Sequence, residues 1–214
     1  MLPNADTRAW YATLNGRRAA RRLARVIAPT VRLGATARLL ALGYPPPLLM
    51  GLDPARLERL AVALTEPDAA HHWPARGGNH ALAVEAARLP FAAGLFDQAL
   101  VVHALEHAVE PRALLRELWR VLAPAGELIV LVPNRLGRWL DPGSPFARGR
   151  AYGHDDLDAL LRDAMFEPRS QRTALGPGGG VGRVRLALAA KVDGFAPTMV
   201  GLAEPLGAQR LAPA

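Results

Sequence analysis

Three residues in His103-Ala-Leu-Glu106-His107 are of the types that hold a metal ion. They spell H-x-x-E-H, the pattern of one class of zinc peptidases, in which a helix aims two imidazoles at zinc and a glutamate serves as base. A spacing of four places both histidines on one face, but only if the stretch is helical. The preceding Ala-Leu-Val-Val follows a strand pattern, and Pro111 arrives four residues after His107. The histidine pair therefore belongs to a strand end and the loop that follows it. No metal is expected there.

The remaining chemistry is bounded by composition. The chain has 214 residues, 50% of them hydrophobic, enough for one well-cored domain. It has no cysteine, which excludes disulfides, thiolate zinc sites and a cysteine nucleophile, and fits a reducing, cytoplasmic setting. No apolar run approaches the length of a transmembrane segment. The net charge of +7 invites a polyanion as partner. Yet Lys191 is the only lysine, and most of the arginines are spread along a chain rich in Ala, Gly and Pro. Specific nucleic-acid binding is not expected. One cluster stands out: Arg17, Arg18, Arg21, Arg22 and Arg25 surround Leu23, Val26 and Ile27 at helical spacing. A basic amphipathic helix over residues 1–30 is either a targeting or membrane-surface element or a leading helix packed on the domain. Trp10 and Tyr11 would anchor the latter, and no cleavage site follows an apolar core.

The elements that must position these residues follow from the apolar runs. Residues 37–43, 59–65, 80–86, 97–103 and 127–133 read as buried strands. Runs apolar on both faces, separated by crossovers, predict a parallel sheet with helices on both sides. PRALLRELWRVLAPAG (111–126) reads as a helix, with Pro111 in its first turn and an apolar stripe from Leu114 to Leu122. HDDLDALLRDAMF (154–166) reads as another, acidic in its first turn. Residues 176–182 form a glycine-rich loop, 184–192 a helix or strand, and 198–205 a final strand. One domain over 31–206 and a tail over 207–214 are expected.

Residues 89–134 run Leu-Pro-Phe, Phe-Asp opening the fourth strand, the HALEH turn, Arg-Val-Leu-x-Pro-x-Gly, and a fifth strand ending in Pro-Asn. In order and spacing this resembles the class I S-adenosylmethionine-dependent methyltransferase family, in its type 11 subgroup. The resemblance implies a Rossmann-like α/β fold with a seven-stranded, mostly parallel sheet in the order 3-2-1-4-5 plus an edge pair, the last strand antiparallel. It also implies S-adenosylmethionine as cofactor and a small-molecule substrate. His103 would lie near the cofactor and border the substrate cavity, His107 would be structural, and Asp97 would anchor the start of the fourth strand. GYPPP (43–47), HHWP (71–74) and PNRLG (133–137) further resemble a bacterial subgroup with an altered first loop.

In that family the first strand ends in an acid followed by Gly-x-Gly-x-Gly. Here Ala41 takes the acid's place, Gly43 keeps the first glycine, and Pro45 and Pro47 take the second and third. Proline has no N–H to donate and a fixed φ, so the loop cannot copy the usual cradle. Tyr44 puts a ring where the cofactor would lie. By resemblance the ribose falls to Glu66, or to Asp68, and the adenine to Glu85 with Ala86; Arg135 could replace lost contacts. Two functions stay open: a methyltransferase, or a non-catalytic domain that kept the fold for binding or regulation.

Overall fold

Alternation of side chains along each strand sends one set to each face of a sheet, so a strand apolar throughout needs cover on both sides. The computed structural model, which describes residues 5–65, 72–135, 143–174 and 183–193, shows this arrangement. The strands are β1 (Gly34–Gly43), β2 (Leu57–Leu64), β3 (Ala81–Ala83), β4 (Phe96–Val102), β5 (Leu122–Pro133), β6 (Phe166–Thr173) and β7 (Val184–Lys191). They form one sheet in the order β3-β2-β1-β4-β5-β7-β6. The first five pair in parallel, while β7 runs antiparallel to both β5 and β6.

Helices cover both faces. Leu39, Ala41, Val62, Leu100 and Val102 face a core shared with α1 (Ala5–Ala12) and α2 (Leu14–Ile27). Leu40, Leu42, Ala99 and Val101 face the other core, closed by α3 (Pro111–Val121) and α5 (His154–Asp163), with the one-turn α4 (Pro145–Arg148) between these two in the chain. Leu114, Leu115 and Leu118 of α3 are almost fully buried, each worth about 1.5–3 kcal/mol. The β1–β2 crossover carries 3-10 turns at Pro46–Leu48 and Pro54–Arg56. Over the first of these lies α2, brought from earlier in the chain.

The structure corrects several sequence expectations. The basic N-terminal segment is two helices, broken at Thr13, whose hydroxyl accepts from Gly16 N and caps α2. α3 ends at Val121, and the residues up to Gly126, expected to be helical, already belong to β5. The third strand is only Ala81–Ala83, so Glu85 lies in a turn beyond it. Residues 184–191 resolve to a strand. An edge pair is expected, but not with Phe166–Thr173 as one of its strands. Residues 176–182 and 198–205 lie outside the described residues.

The base of the sheet is tied by polar groups. Asp97 accepts from Arg38 N at 2.9 Å and Arg38 Nη2 at 2.8 Å, which is the anchoring role expected of it. Arg38 holds the Asp97 carboxyl below its ordinary range, chiefly by side-chain hydrogen bonding. Gln98 donates to the Thr30 carbonyl and to Glu127, linking the end of the α2 segment to β4 and β5.

Candidate functional site

Register decides which residues meet. Gly43 pairs with Leu64 on one side and Val102 on the other, and Leu64 pairs with Ala83. The residues just beyond, Tyr44, the Glu85–Ala86 turn and His103, therefore share one rim at the carboxyl end of the sheet. β1 and β4 are adjacent there, although the chain leaves β1 in one direction and enters β4 from the other. In open α/β sheets this switch point is where ligands bind.

Two backbone features shape the rim. Gly43 has φ +99°, and a Cβ on it would collide with the Val102 carbonyl oxygen. That oxygen instead accepts the Tyr44 N–H at 2.8 Å, which draws the end of β1 against β4. His103 has φ 57°, a left-handed conformation that ends β4 and turns its side chain inward. Leu105–His107 then form a single 3-10 turn. The H-x-x-E-H residues are thus on no α-helix, as their neighbours suggest.

The side chains form a closed chain of contacts. Tyr11, from α1, lies 2.8 Å from His103 Nε2 through its hydroxyl. His103 Nδ1 lies 3.0 Å from Glu106 Oε1. With Glu106 as carboxylate, Nδ1 carries the proton, Nε2 accepts, and the Tyr11 hydroxyl donates. Burial, and then the Glu106 and Tyr44 side chains, raise the Tyr11 phenol well above its ordinary range, so it stays a donor. The Tyr11 ring stacks on Tyr44 at 6.1 Å, and the His103 ring packs on Phe146 at 4.2 Å. Tyr11, Tyr44, His103, Glu106 and Phe146 are all buried, and Glu106 Oε2 has no hydrogen-bond partner among the described residues.

His103, Glu106 and His107 offer ligand atoms within 4.8 Å of one another. Both His103 nitrogens, however, already serve Tyr11 and Glu106. His107 is exposed on the turn.

The expected cofactor residues divide into two groups. Gly43, Tyr44 and His103 come together at the switch point. Glu85 and Ala86 lie two strands away at the end of β3, Glu85 exposed and bridged to Arg88, Ala86 half-buried. Glu66 and Asp68 lie outside the described residues. Arg135 is ion-paired with Asp156 of α5 at 2.5 Å, beyond β5 and away from the first loop. The open carboxylate at Glu85 fits an adenosine end. The first loop fits less well, because Tyr44 is folded into the core with Leu48 and Leu49. The contribution of Tyr11 was missed: the sequence marked it as an anchor, and nothing local pairs it with a histidine 92 positions away.

Comparisons agree with this architecture. Residues 49–130 match the family model described as a methyltransferase domain. An S-adenosylmethionine-dependent methyltransferase from Thermotoga maritima is 20% identical with a TM-score of 0.66, covering 87% of this chain and 95% of that one. The 1,6-didemethyltoxoflavin N1-methyltransferase of Burkholderia thailandensis, solved with its substrate and S-adenosylhomocysteine, is 20% identical with a TM-score of 0.61, covering 88% and 84%. The geranyl diphosphate C-methyltransferase of Streptomyces coelicolor is 13% identical with a TM-score of 0.59, covering 86% of each chain. No curated relative matches the sequence. The sheet order is that of a Rossmann-like methyltransferase fold. The matched segment runs from the β1–β2 crossover into β5. Among the described residues no helix is long and apolar enough to cross a membrane.

Proposed function

We propose that the protein is a cytoplasmic S-adenosylmethionine-dependent methyltransferase acting on a small molecule. The observation that carries this reading is the shared rim: register brings Gly43–Tyr44 and His103 together at the switch point, with the Glu85–Ala86 turn on the same rim two strands away. Glu85 and Ala86 would hold the adenine end, with Glu66 at the ribose. S-adenosylmethionine supplies a methyl group already activated on a sulfonium, so the protein's task is to orient an acceptor and exclude water. Tyr11, Tyr44 and Phe146 supply the apolar wall, in which Tyr11 and Glu106 hold the His103 ring in place. No metal has a part in this reading, and stoichiometric zinc lost on His107→Ala would contradict it.

A first loop without its second and third glycines lacks two or three hydrogen bonds of about 1–1.5 kcal/mol each, a weakening of roughly ten- to a thousandfold. Calorimetry with S-adenosylmethionine and S-adenosylhomocysteine tests the proposal. Dissociation constants in the tens of micromolar or poorer are expected, weakened further by Glu85→Ala. Tight binding indifferent to Glu85 would show that the site lies elsewhere.

One observation favours a second reading, a non-catalytic binding domain: Tyr44 is buried under Tyr11 where the methionine end of a cofactor would rest. Ala41→Asp with Pro45→Gly and Pro47→Gly separates the two. Gained affinity supports the methyltransferase; no binding in either form supports the non-catalytic domain.

A further inference from the structure

Helix α2 presents two faces of opposite character. Gly16, Ala19, Ala20, Leu23 and Ile27 are buried against the sheet. Arg17, Arg18, Arg21, Arg22 and Arg25 are exposed, and the helix contains no acidic residue. Among the described residues the ion pairs draw on other arginines: Arg32 with Glu127, Arg38 with Asp97, Arg112 with Asp163, Arg120 with Glu117, Arg135 with Asp156. Arg18, Arg21 or Arg22, and Arg25 succeed one another at three- and four-residue spacing, so like charges are neighbours along the helix. Such a stripe opposes its own folding unless an anionic surface lies against it.

At the C-terminal end of the stripe the surface becomes aliphatic. A pocket of about 250 Å³ opens there, lined by Ile27, Val31, Leu33, Leu49 and Leu52, with Arg25 among its walls. Leu33 is 37% exposed, and Met50, next in the chain to Leu49, is 62% exposed. A cationic stripe continuous with an aliphatic slot matches a phosphate headgroup over hydrocarbon. It matches nucleic acid poorly, because single-strand binding needs exposed aromatic platforms, and the aromatic residues nearest in sequence, Trp10 and Tyr11, are buried.

We propose that the arginine face of α2, with the adjoining Leu33–Leu49 pocket and the exposed Met50 beside it in the chain, docks the protein on an anionic phospholipid surface. The bilayer is bound peripherally: guanidinium groups meet lipid phosphates, and the aliphatic rim dips among the acyl chains.

The test is flotation of the full chain with vesicles of phosphatidylcholine and phosphatidylglycerol, against vesicles of phosphatidylcholine alone. Binding is expected only to the mixed vesicles, and added salt should release it, since screening shortens to about 10 Å at 0.1 M. Each arginine near such a surface contributes roughly fivefold to partitioning. Arg18→Gln, Arg21→Gln and Arg25→Gln together should therefore lower binding about a hundredfold, at an unfolding temperature no lower than that of the native chain. Leu33→Ser with Met50→Ser should also weaken it, leaving the salt dependence intact. The proposal is overturned if mixed vesicles do not bind the protein, or if the triple glutamine variant floats as well as the native chain. It is also overturned if duplex DNA at equal phosphate concentration strips the protein from the vesicles.

Discussion

Gly43 is where backbone chemistry constrains the site most tightly. Its φ of +99° and the nearness of the Val102 carbonyl leave no room for a side chain. Gly43→Ala should cost about 3 kcal/mol or more, read as a lowered urea midpoint. Tyr11 is a second such point. Removing its hydroxyl leaves the buried His103 Nε2 without its bond, so Tyr11→Phe should destabilise by about 1–3 kcal/mol. Its pH dependence has a definite sign. The folded-state pKa lies above the unfolded one, so the protonated phenol's contribution is complete below about pH 10 and is lost as pH rises beyond it. Urea titrations at successive alkaline pH values should show stability falling in the native chain and a flatter limb in Tyr11→Phe. The places of Gly43 at the end of β1 and of His103 just after β4 are legible from motif and spacing. The Tyr11–His103–Glu106 chain was not, because a hydrogen bond across 92 positions leaves no local periodicity.

The elements read well wherever burial wrote a pattern. β1, β2, β4 and β5 are apolar on both faces and were visible for that reason. β6 was not, because FEPRSQRT at the sheet's edge is mostly exposed beyond Phe166 and contains a proline. The apolar stripe of α3 continues to Leu122 in the sequence, yet that side chain is buried as the first residue of β5. The start of β4 yields a pH prediction. Arg38 lowers the Asp97 pKa, so this pair supports the fold above about pH 4 and fails as pH falls through the depressed value. Both side chains are about one-third exposed, at 29% and 32%, so solvent screening keeps the contribution small. Thermal unfolding followed between neutral and acid pH should show Asp97→Asn losing part of the acid-side slope.

At the scale of the whole molecule, the candidate site is closed by a segment the sheet does not need. α1 lays Trp10 and Tyr11, 5% and 6% exposed, over the end of β1 and the HALEH turn. Removing residues 1–12 should cost about 3–6 kcal/mol from these two side chains alone. It should also uncover Tyr44 and His103. If α1 is a cover over the cofactor site, the shortened chain should take up S-adenosylhomocysteine faster in stopped-flow measurements than the full one. Equal rates would assign α1 to stability alone.

β7 lies between β5 and β6, although it follows both in the chain. On the ribosome β5 is complete long before its neighbour exists, and its Glu127–Pro133 ladder must wait for residues 184–191. During that interval β6 has no partner either. Translation that pauses before residue 184 therefore leaves an apolar strand with an unpaired edge, open to any other nascent chain. The same late insertion works as a seal: once β7 enters, it pairs with β5 and β6 together.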